Sequence, residues 1–107
     1  MSTLSTHVLD ATRGIPAEGV TVVLHDGSGA ALHEAVTDAD GRVKDLAPGG
    51  LGPGTYRLTF RTGEYHARTG QDGFYPEVTV AFRVVEERHY HVPLLLSPYA
   101  YSTYRGS

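Results

Sequence analysis

The chain of 107 residues contains no cysteine at all. This absence excludes disulfides, thiol catalysis and thiolate metal sites, and it fits a reducing compartment, so we expect a cytoplasmic protein. Basic residues are also few, since nine lysines and arginines stand against twelve acidic residues and the net charge is −3. A nucleic-acid partner is therefore not expected, because no basic field is available to hold phosphates.

Long apolar runs are missing as well. No stretch approaches the roughly 20 residues that a membrane-spanning helix needs, so no membrane partner is expected. The first residues, Met1–His7, lack the charged start and apolar core of a signal peptide. The length predicts one domain over residues 1–107, and a domain this small gains stability from oligomerisation.

Short runs rich in valine, threonine, tyrosine and leucine are separated by glycine and proline. This pattern is typical of an all-β domain. The polar stretch Gly63–Thr69 lacks alternation and is predicted to form a single helical turn. We predict about eight strands, near Leu4–Leu9, Val20–Asp26, Ala31–Thr37, Arg42–Lys44, Gly54–Arg61, Pro76–Val85, His89–Leu96 and Ala100–Arg105.

Several predicted strands carry polar, chemically capable side chains on the same face as apolar or small ones. Successive strand residues point to opposite faces, so residues two positions apart share a face. Such mixed faces suit a pocket or a subunit interface. The shared faces are those of His7 with Ser5 and Leu9, of His91 with His89, Pro93 and Leu95, and of Tyr104 with Ser102 and Gly106.

Three histidines are candidates for chemistry. His7 lies inside a predicted strand, and an imidazole exchanges a proton near neutral pH, although a half-exposed strand histidine without a role is commoner. His89 and His91 share a face and could bind zinc with His7 as a third ligand, or simply belong to a polar strand near an edge. We rank catalysis without metal above catalysis with it, and predict no cofactor.

An arginine after a turn and the end of the chain are further candidates. Arg42 follows an Asp-Gly turn, and its planar guanidinium suits an oxygen-rich or anionic ligand, although an ordinary arginine is the commoner case. The segment Tyr99–Ser107 is rich in tyrosine, which is unusual for a frayed terminus. It predicts a docked strand that brings Tyr104 and the terminal carboxylate to a site, or an edge strand at a subunit contact.

Four segments together resemble the 5-hydroxyisourate hydrolases, the enzymatic branch of the transthyretin family. The resemblance covers essentially the whole chain, and its most specific part is the terminal Tyr104-Arg105-Gly106-Ser107. It implies a transthyretin/prealbumin-like β-sandwich of about eight strands with one short helix. The four segments are Ser5–Asp10, Thr37–Arg42, Gly54–Phe60 and His89–Ser107.

The resemblance also implies an activity. The substrate would be 5-hydroxyisourate, a purine-derived molecule of urate catabolism, hydrolysed without metal to 2-oxo-4-hydroxy-4-carboxy-5-ureidoimidazoline. Water would attack a cyclic amide in a homotetramer, a dimer of dimers with sites between subunits. The implied catalytic residues are His7, Arg42, His91 and Tyr104, and the implied substrate-binding residues are Leu9, Pro93, Ser102, Arg105, Gly106 and Ser107.

Three alternatives stay open. The first is a non-catalytic carrier of a small hydrophobic ligand in the same channel. The second is a structural β-sandwich module of surface proteins. Such modules contain sequence patterns like those of Thr37–Gly41 and Pro53–Tyr56, but this alternative does not explain the tyrosine-rich tail. A zinc hydrolase built on His7, His89 and His91 comes third. The pair Val43-Lys44 also departs from the Cys-Pro common in relatives, which leaves the local loop shape open.

Overall fold

A computed structural model describes residues 1–107. It contains ten strands and one helix, and this helix is too short to cross a membrane. The strands and the helix are β1 (Thr3–Asp10), β2 (Ile15–Pro16), β3 (Thr21–His25), β4 (Ala31–Val36), β5 (Arg42–Val43), β6 (Gly54–Phe60), α1 (Thr62–Arg68), β7 (Val78–Val84), β8 (His89–His91), β9 (Leu94–Ser97) and β10 (Ala100–Thr103).

The strands form two sheets. In the first, β1 is central: β8 and β9 run parallel to it on one side, β5 and β2 run antiparallel on the other, and β10 pairs with β9. The second sheet is antiparallel throughout, in the order β4-β3-β6-β7. The prediction of a mostly β protein with one short helix is confirmed.

Strand β1 separates the core from the outer surface by alternation. Leu4 and Val8 are fully buried between the sheets, whereas Ser5, His7 and Leu9 point the other way and are half-buried. The buried side packs in a core drawn from both sheets, whose largest fully buried apolar side chains are Phe60, Leu4, Leu24, Leu46, Leu58, Leu94 and Leu96. The outer face of β1 is thereby free to carry polar side chains.

The predicted strand His89–Leu96 is divided in two. Its halves, β8 and β9, keep one register against β1, with Ser5 opposite His91 and Val8 opposite Leu94. The division falls at Pro93, which has no N–H to contribute to the ladder. The Thr6 hydroxyl donates to the Val92 carbonyl at 2.6 Å and so connects the strands beside the gap.

Other boundaries also differ from the predictions. The last strand ends at Thr103 and not at Arg105, because the tail turns away from β9 towards β8. The predicted single turn is a seven-residue helix, α1, held against the sheets by the buried Tyr65 and His66. The two-residue strand β2 was not predicted, since two residues are too few to show a period.

A buried carboxylate joins β1 to the helix. Asp10 is 1% exposed and accepts hydrogen bonds from the Tyr65 hydroxyl at 2.7 Å, the Gln71 amide at 3.0 Å and the Arg13 N–H at 3.0 Å. Burial opposes ionisation of Asp10, but these three bonds outweigh it and hold the pKa of the carboxyl below its usual range. The end of β1 is therefore anchored by an ionised, hydrogen-bonded group.

Replacing Tyr65 by phenylalanine should weaken this anchor. Tyr65→Phe removes the shortest of the three hydrogen bonds to the buried carboxylate of Asp10, so we expect the free energy of unfolding to fall by about 1–3 kcal/mol. Urea unfolding at one fixed protein concentration measures this, since subunit association also changes stability. The control Tyr99→Phe removes an exposed hydroxyl and should change stability by less than about 0.5 kcal/mol. Equal stability of the two variants would contradict the anchor.

Candidate active site

Strand pairing brings the candidate residues to one face of the first sheet. His7 is the cross-strand partner of Arg42 on β5, and Ser5 is the partner of His91 on β8. Directly paired residues project to the same side of a sheet. His7, Arg42 and His91 therefore meet on the outer face, although they are far apart in the chain. His89, paired with Thr3, extends this group by one step.

A polar cavity of about 480 Å³ opens at this face. None of its lining residues is hydrophobic. His7 lies beside it on β1 without forming part of its wall. The lining residues are Ser5, Thr6, Arg42, Lys44, His89, His91 and Ser107. The cavity therefore offers hydrogen-bond donors, acceptors and positive charge to a polar ligand.

His91 is the most perturbed of the histidines that reach the cavity. Its partial burial lowers the pKa of the imidazole, and the positive charges of Arg42, His7 and His89 lower it further. The ring is therefore neutral at pH 7. Its Nδ1 lies 2.8 Å from the Ser5 hydroxyl, and its Nε2 makes no hydrogen bond within the chain. A neutral imidazole with one free nitrogen at a polar cavity can act as a general base.

The C-terminal tail is docked against the strand that carries His91. The Thr103 hydroxyl donates to the Pro93 carbonyl at 2.7 Å, and the Gly106 N–H donates to the His91 carbonyl at 2.9 Å. A Cβ atom at Gly106 would collide with the His91 ring, so only glycine allows this close approach. The tail then ends with Ser107 in the wall of the cavity.

Tyr104 and Arg105 lie outside this cavity. They line a separate, largely apolar cleft of about 310 Å³ together with residues of β7 and β8. Tyr104 is 58% exposed there. His91 borders both spaces, so it is the point where the apolar cleft and the polar cavity meet. Within one subunit, Tyr104 therefore shares the apolar cleft with His91 but does not line the polar cavity with Arg42.

The remaining candidates lie one step along the sheet. Leu9 pairs with Leu95, and Leu95 pairs with Ser102, so these three form a row across β1, β9 and β10. Leu9 belongs to the same face as His7, which places the row beside the cavity and not in its wall. Pro93 is buried at the break between β8 and β9.

The structure contains no group of three metal-ligating side chains close enough to hold an ion. His7, His89 and His91 thus do not form the ligand set that the zinc alternative requires. Both nitrogens of His89 contact hydroxyls, with Nδ1 2.6 Å from Thr3 Oγ1 and Nε2 2.8 Å from Ser5 Oγ. Ser5 received no role from the sequence, because only the pairing of β1 with β8 places it between two imidazoles.

The chain resembles the proteins of one family along nearly its whole length. Residues 4–106 match the model of the HIUase/Transthyretin family. The chain belongs to this family. It is 50% identical over 109 residues to a 5-hydroxyisourate hydrolase of Salmonella typhimurium, covering 97% of this chain and 80% of the relative.

Solved structures of the HIUase/Transthyretin family have the same fold. The Klebsiella pneumoniae 5-hydroxyisourate hydrolase superimposes with a TM-score of 0.93 at 45% identity, covering 100% of both chains. Sea bream transthyretin in complex with thyroxine superimposes with a TM-score of 0.89 at 33% identity, covering 96% of this chain and 93% of that chain. The transthyretin-like sandwich is thereby confirmed, and the same fold occurs in proteins of both names.

The electrostatics of His91 can be tested directly. We expect its pKa in an NMR titration of the ring to lie below the ordinary 6.5, and the substitution Arg42→Gln to raise it towards that value by removing a neighbouring positive charge. Arg57→Gln, on the exposed surface of the second sheet, serves as the control and should leave this titration unchanged. A His91 that titrates at or above 6.5 in the unsubstituted protein would contradict this description.

Proposed function

We propose that this chain is a 5-hydroxyisourate hydrolase and that residues 1–107 form one catalytic domain. The observation that carries the proposal is the polar cavity, in which Arg42 and His91 converge beside His7 without any hydrophobic wall residue. Hydrolases of the family act on a small, planar, oxygen-rich purine derivative, and this cavity supplies the hydrogen bonds that such a molecule needs. The product would be 2-oxo-4-hydroxy-4-carboxy-5-ureidoimidazoline.

The reaction begins with the activation of water. His91 takes a proton from the attacking water at its free Nε2, and its lowered pKa keeps the ring ready for this at neutral pH. General base catalysis of this kind contributes about 10²–10⁴-fold to a rate. The hydroxyl oxygen then forms a bond to the carbonyl carbon of the cyclic amide.

Two further side chains act on the developing negative charge and on the leaving nitrogen. Arg42 donates hydrogen bonds to substrate oxygens and stabilises the negative charge that develops on the carbonyl oxygen. His7, paired with Arg42 across the strands, gives a proton to the ring nitrogen as the C–N bond breaks. The nitrogen leaves as a neutral N–H of the ureido group and the carbonyl carbon becomes a carboxylic acid, so the atoms balance with one water consumed.

A carrier of hydrophobic ligands fits the cavity poorly. Sites for such ligands are lined mainly by apolar and aromatic side chains. Here the wall combines two histidines, an arginine, a lysine and hydroxyls. Binding an apolar molecule would remove water from these groups without replacing its hydrogen bonds. The hydrolase is therefore the better explanation of these residues.

We further propose a homotetramer, arranged as a dimer of dimers. β7 and β10 are both edge strands, and residues of β7 and of the tail after β10 flank the apolar cleft that contains Tyr104. Unpaired edges beside an apolar surface are ready to pair with another copy of the chain. Tyr104 and Arg105 would then orient the substrate ring from a site completed by a second subunit.

Activity is tested in an ultraviolet assay. 5-Hydroxyisourate is generated in place from urate with urate oxidase, and its disappearance is followed with and without the protein. We expect the protein to accelerate the decay, and His7→Ala, Arg42→Ala and His91→Ala each to lower kcat/KM at least about 100-fold.

Matched controls come from the second sheet. His33→Ala on β4 and Arg57→Ala on β6 remove the same types of side chain far from the cavity and should retain activity. Circular dichroism checks that every variant is folded. If the unsubstituted protein leaves the rate of spontaneous decay unchanged, the hydrolase proposal fails. The non-catalytic carrier and the structural module then remain as the alternatives.

The assembly is tested by light scattering. A tetramer gives four times the mass of one chain, and Tyr104→Asp, which introduces charge into the apolar cleft, should shift the mass downwards and reduce activity in parallel. Ser28→Asp in an exposed turn is the matched charge control and should leave both unchanged. A fully active monomer would contradict a site shared between subunits.

A further inference from the structure

One hydroxyl lies between two imidazoles at the edge of the polar cavity. Ser5 Oγ is 2.8 Å from Nδ1 of His91 and 2.8 Å from Nε2 of His89. His89 Nδ1 is in turn 2.6 Å from Thr3 Oγ1. The four side chains thus form one chain of hydrogen bonds, in the order His91, Ser5, His89 and Thr3. The parallel pairing of β1 with β8 creates it by placing all four on one face.

The single proton of Ser5 links the protonation of the two rings. A hydroxyl donates one hydrogen bond, so with both rings neutral it donates to one imidazole and accepts from the other. If Ser5 donates to His89, then His91 carries its proton on Nδ1 and its Nε2 is free to act as a base. If Ser5 donates to His91, then Nε2 of His91 carries the proton and the ring is a potential acid.

The chain of hydrogen bonds leads away from the cavity. Thr3 and His89 are exposed, whereas Ser5 and His91 are half-buried. A second cavity of about 490 Å³ adjoins the first, and its wall contains Thr3, His89 and the carboxylate-bearing Asp45. His89 belongs to both cavities, so it connects the polar cavity to this second, open space.

We propose that Ser5 and His89 are positioning residues that set the tautomer of His91 and relay a proton from it to the second cavity. The inference rests on the proposed function, because it assigns His91 the role of the base. Neither residue contacts the reacting atoms in this scheme. Both act through His91, in the way that a hydrogen-bonded partner orients a catalytic imidazole.

The relay conserves protons at every step. As Nε2 of His91 takes a proton from water, Nδ1 passes its proton to Ser5 Oγ, and Ser5 passes its own to Nε2 of His89. His89 releases a proton from Nδ1 through Thr3 to the second cavity. The carboxylic acid formed by hydrolysis ionises at neutral pH, so each turnover has one proton to deliver to solvent. In the reverse shift, Nε2 of His91 gives up its proton in the polar cavity, where it replaces the proton that His7 lost, and His89 takes one proton back from the second cavity. The net proton released per turnover is then that of the carboxylic acid.

The surroundings favour an uncharged His91. Positive groups approach it from β1, from β5 and the residue that follows it, from β7, from β8 and from the tail, and no aspartate or glutamate lines the polar cavity or the apolar cleft. A relay that removes a proton from His91 keeps its imidazole uncharged among these positive groups. The charged and titratable groups are His7, Arg42, Lys44, Arg83, His89, Tyr90, Tyr104 and Arg105.

The kinetic test uses three substitutions and one matched control in the chain of residues 1–107. Ser5→Ala breaks both contacts of the hydroxyl, and His89→Gln retains an N–H donor but cannot pass a proton on. We expect each to lower kcat about 10–100-fold with KM changed less than about twofold, as for other partners that orient an imidazole. Ser5→Thr restores the hydroxyl and should return kcat to within about threefold of the original. Ser97→Ala is the matched control for loss of a hydroxyl.

An NMR measurement tests the same idea without substrate. Ring ¹⁵N shifts report which nitrogen of a histidine carries the proton. We expect His91 and His89 to populate coupled tautomers, both of which change on Ser5→Ala and return on Ser5→Thr. The solvent deuterium isotope effect on kcat should also fall in Ser5→Ala, because fewer protons move in the slow step.

The outcomes separate the two proposals. An active protein in which Ser5→Ala and His89→Gln leave kcat, the pH profile and the His91 ring signals unchanged would overturn the relay and leave the hydrolase intact. A protein inactive on 5-hydroxyisourate would instead overturn the hydrolase. In that case the ring shifts alone decide the tautomer coupling, and independent tautomers at His91 and His89 overturn it.

Discussion

The double pairing of β1 is the constraint on which the site depends. One edge of this strand sets His7 opposite Arg42, and the other sets Ser5 opposite His91. A slip of one residue would turn every side chain of β1 to the opposite face. Leu4 and Val8 would then be exposed, so burial of these two residues is what keeps the polar face outside. The core and the site therefore lie on the two faces of one strand, and the register of that strand fixes both.

Part of the candidate site could be predicted from the sequence, because the alternation within one strand shows which of its residues share a face. Alternation in the first strand placed His7 with Ser5 and Leu9, and the structure has the same faces. The short strand at Arg42 was predicted from its turn, and it is present as β5. A single strand contains this information, since the period of two needs no knowledge of its neighbours.

The contacts between strands could not be predicted in the same way. The register of β1 with β8 joins residues 86 positions apart, and alternation alone does not say which residues lie opposite each other. For this reason the position of Ser5 between two imidazoles was missed. The break at Pro93 was missed because its neighbours are apolar and continue the strand pattern, whereas the missing N–H acts only within the ladder. Tyr104 was placed by extending β10, but the tail leaves that direction after Thr103.

The same fold occurs in relatives that carry different names. Sea bream transthyretin has the same sandwich at 33% identity, so the sheets alone do not decide between a thyroxine complex and hydrolysis. In this chain, the side chains that line the polar cavity are separate from the hydrophobic core of Leu4, Val8 and their neighbours, so a substitution among them removes no member of that core. The tail is coupled more closely, because Gly106 packs against the ring of His91 and admits no side chain. A side chain at position 106 would displace the ring of His91, so the tail and this histidine can change only together.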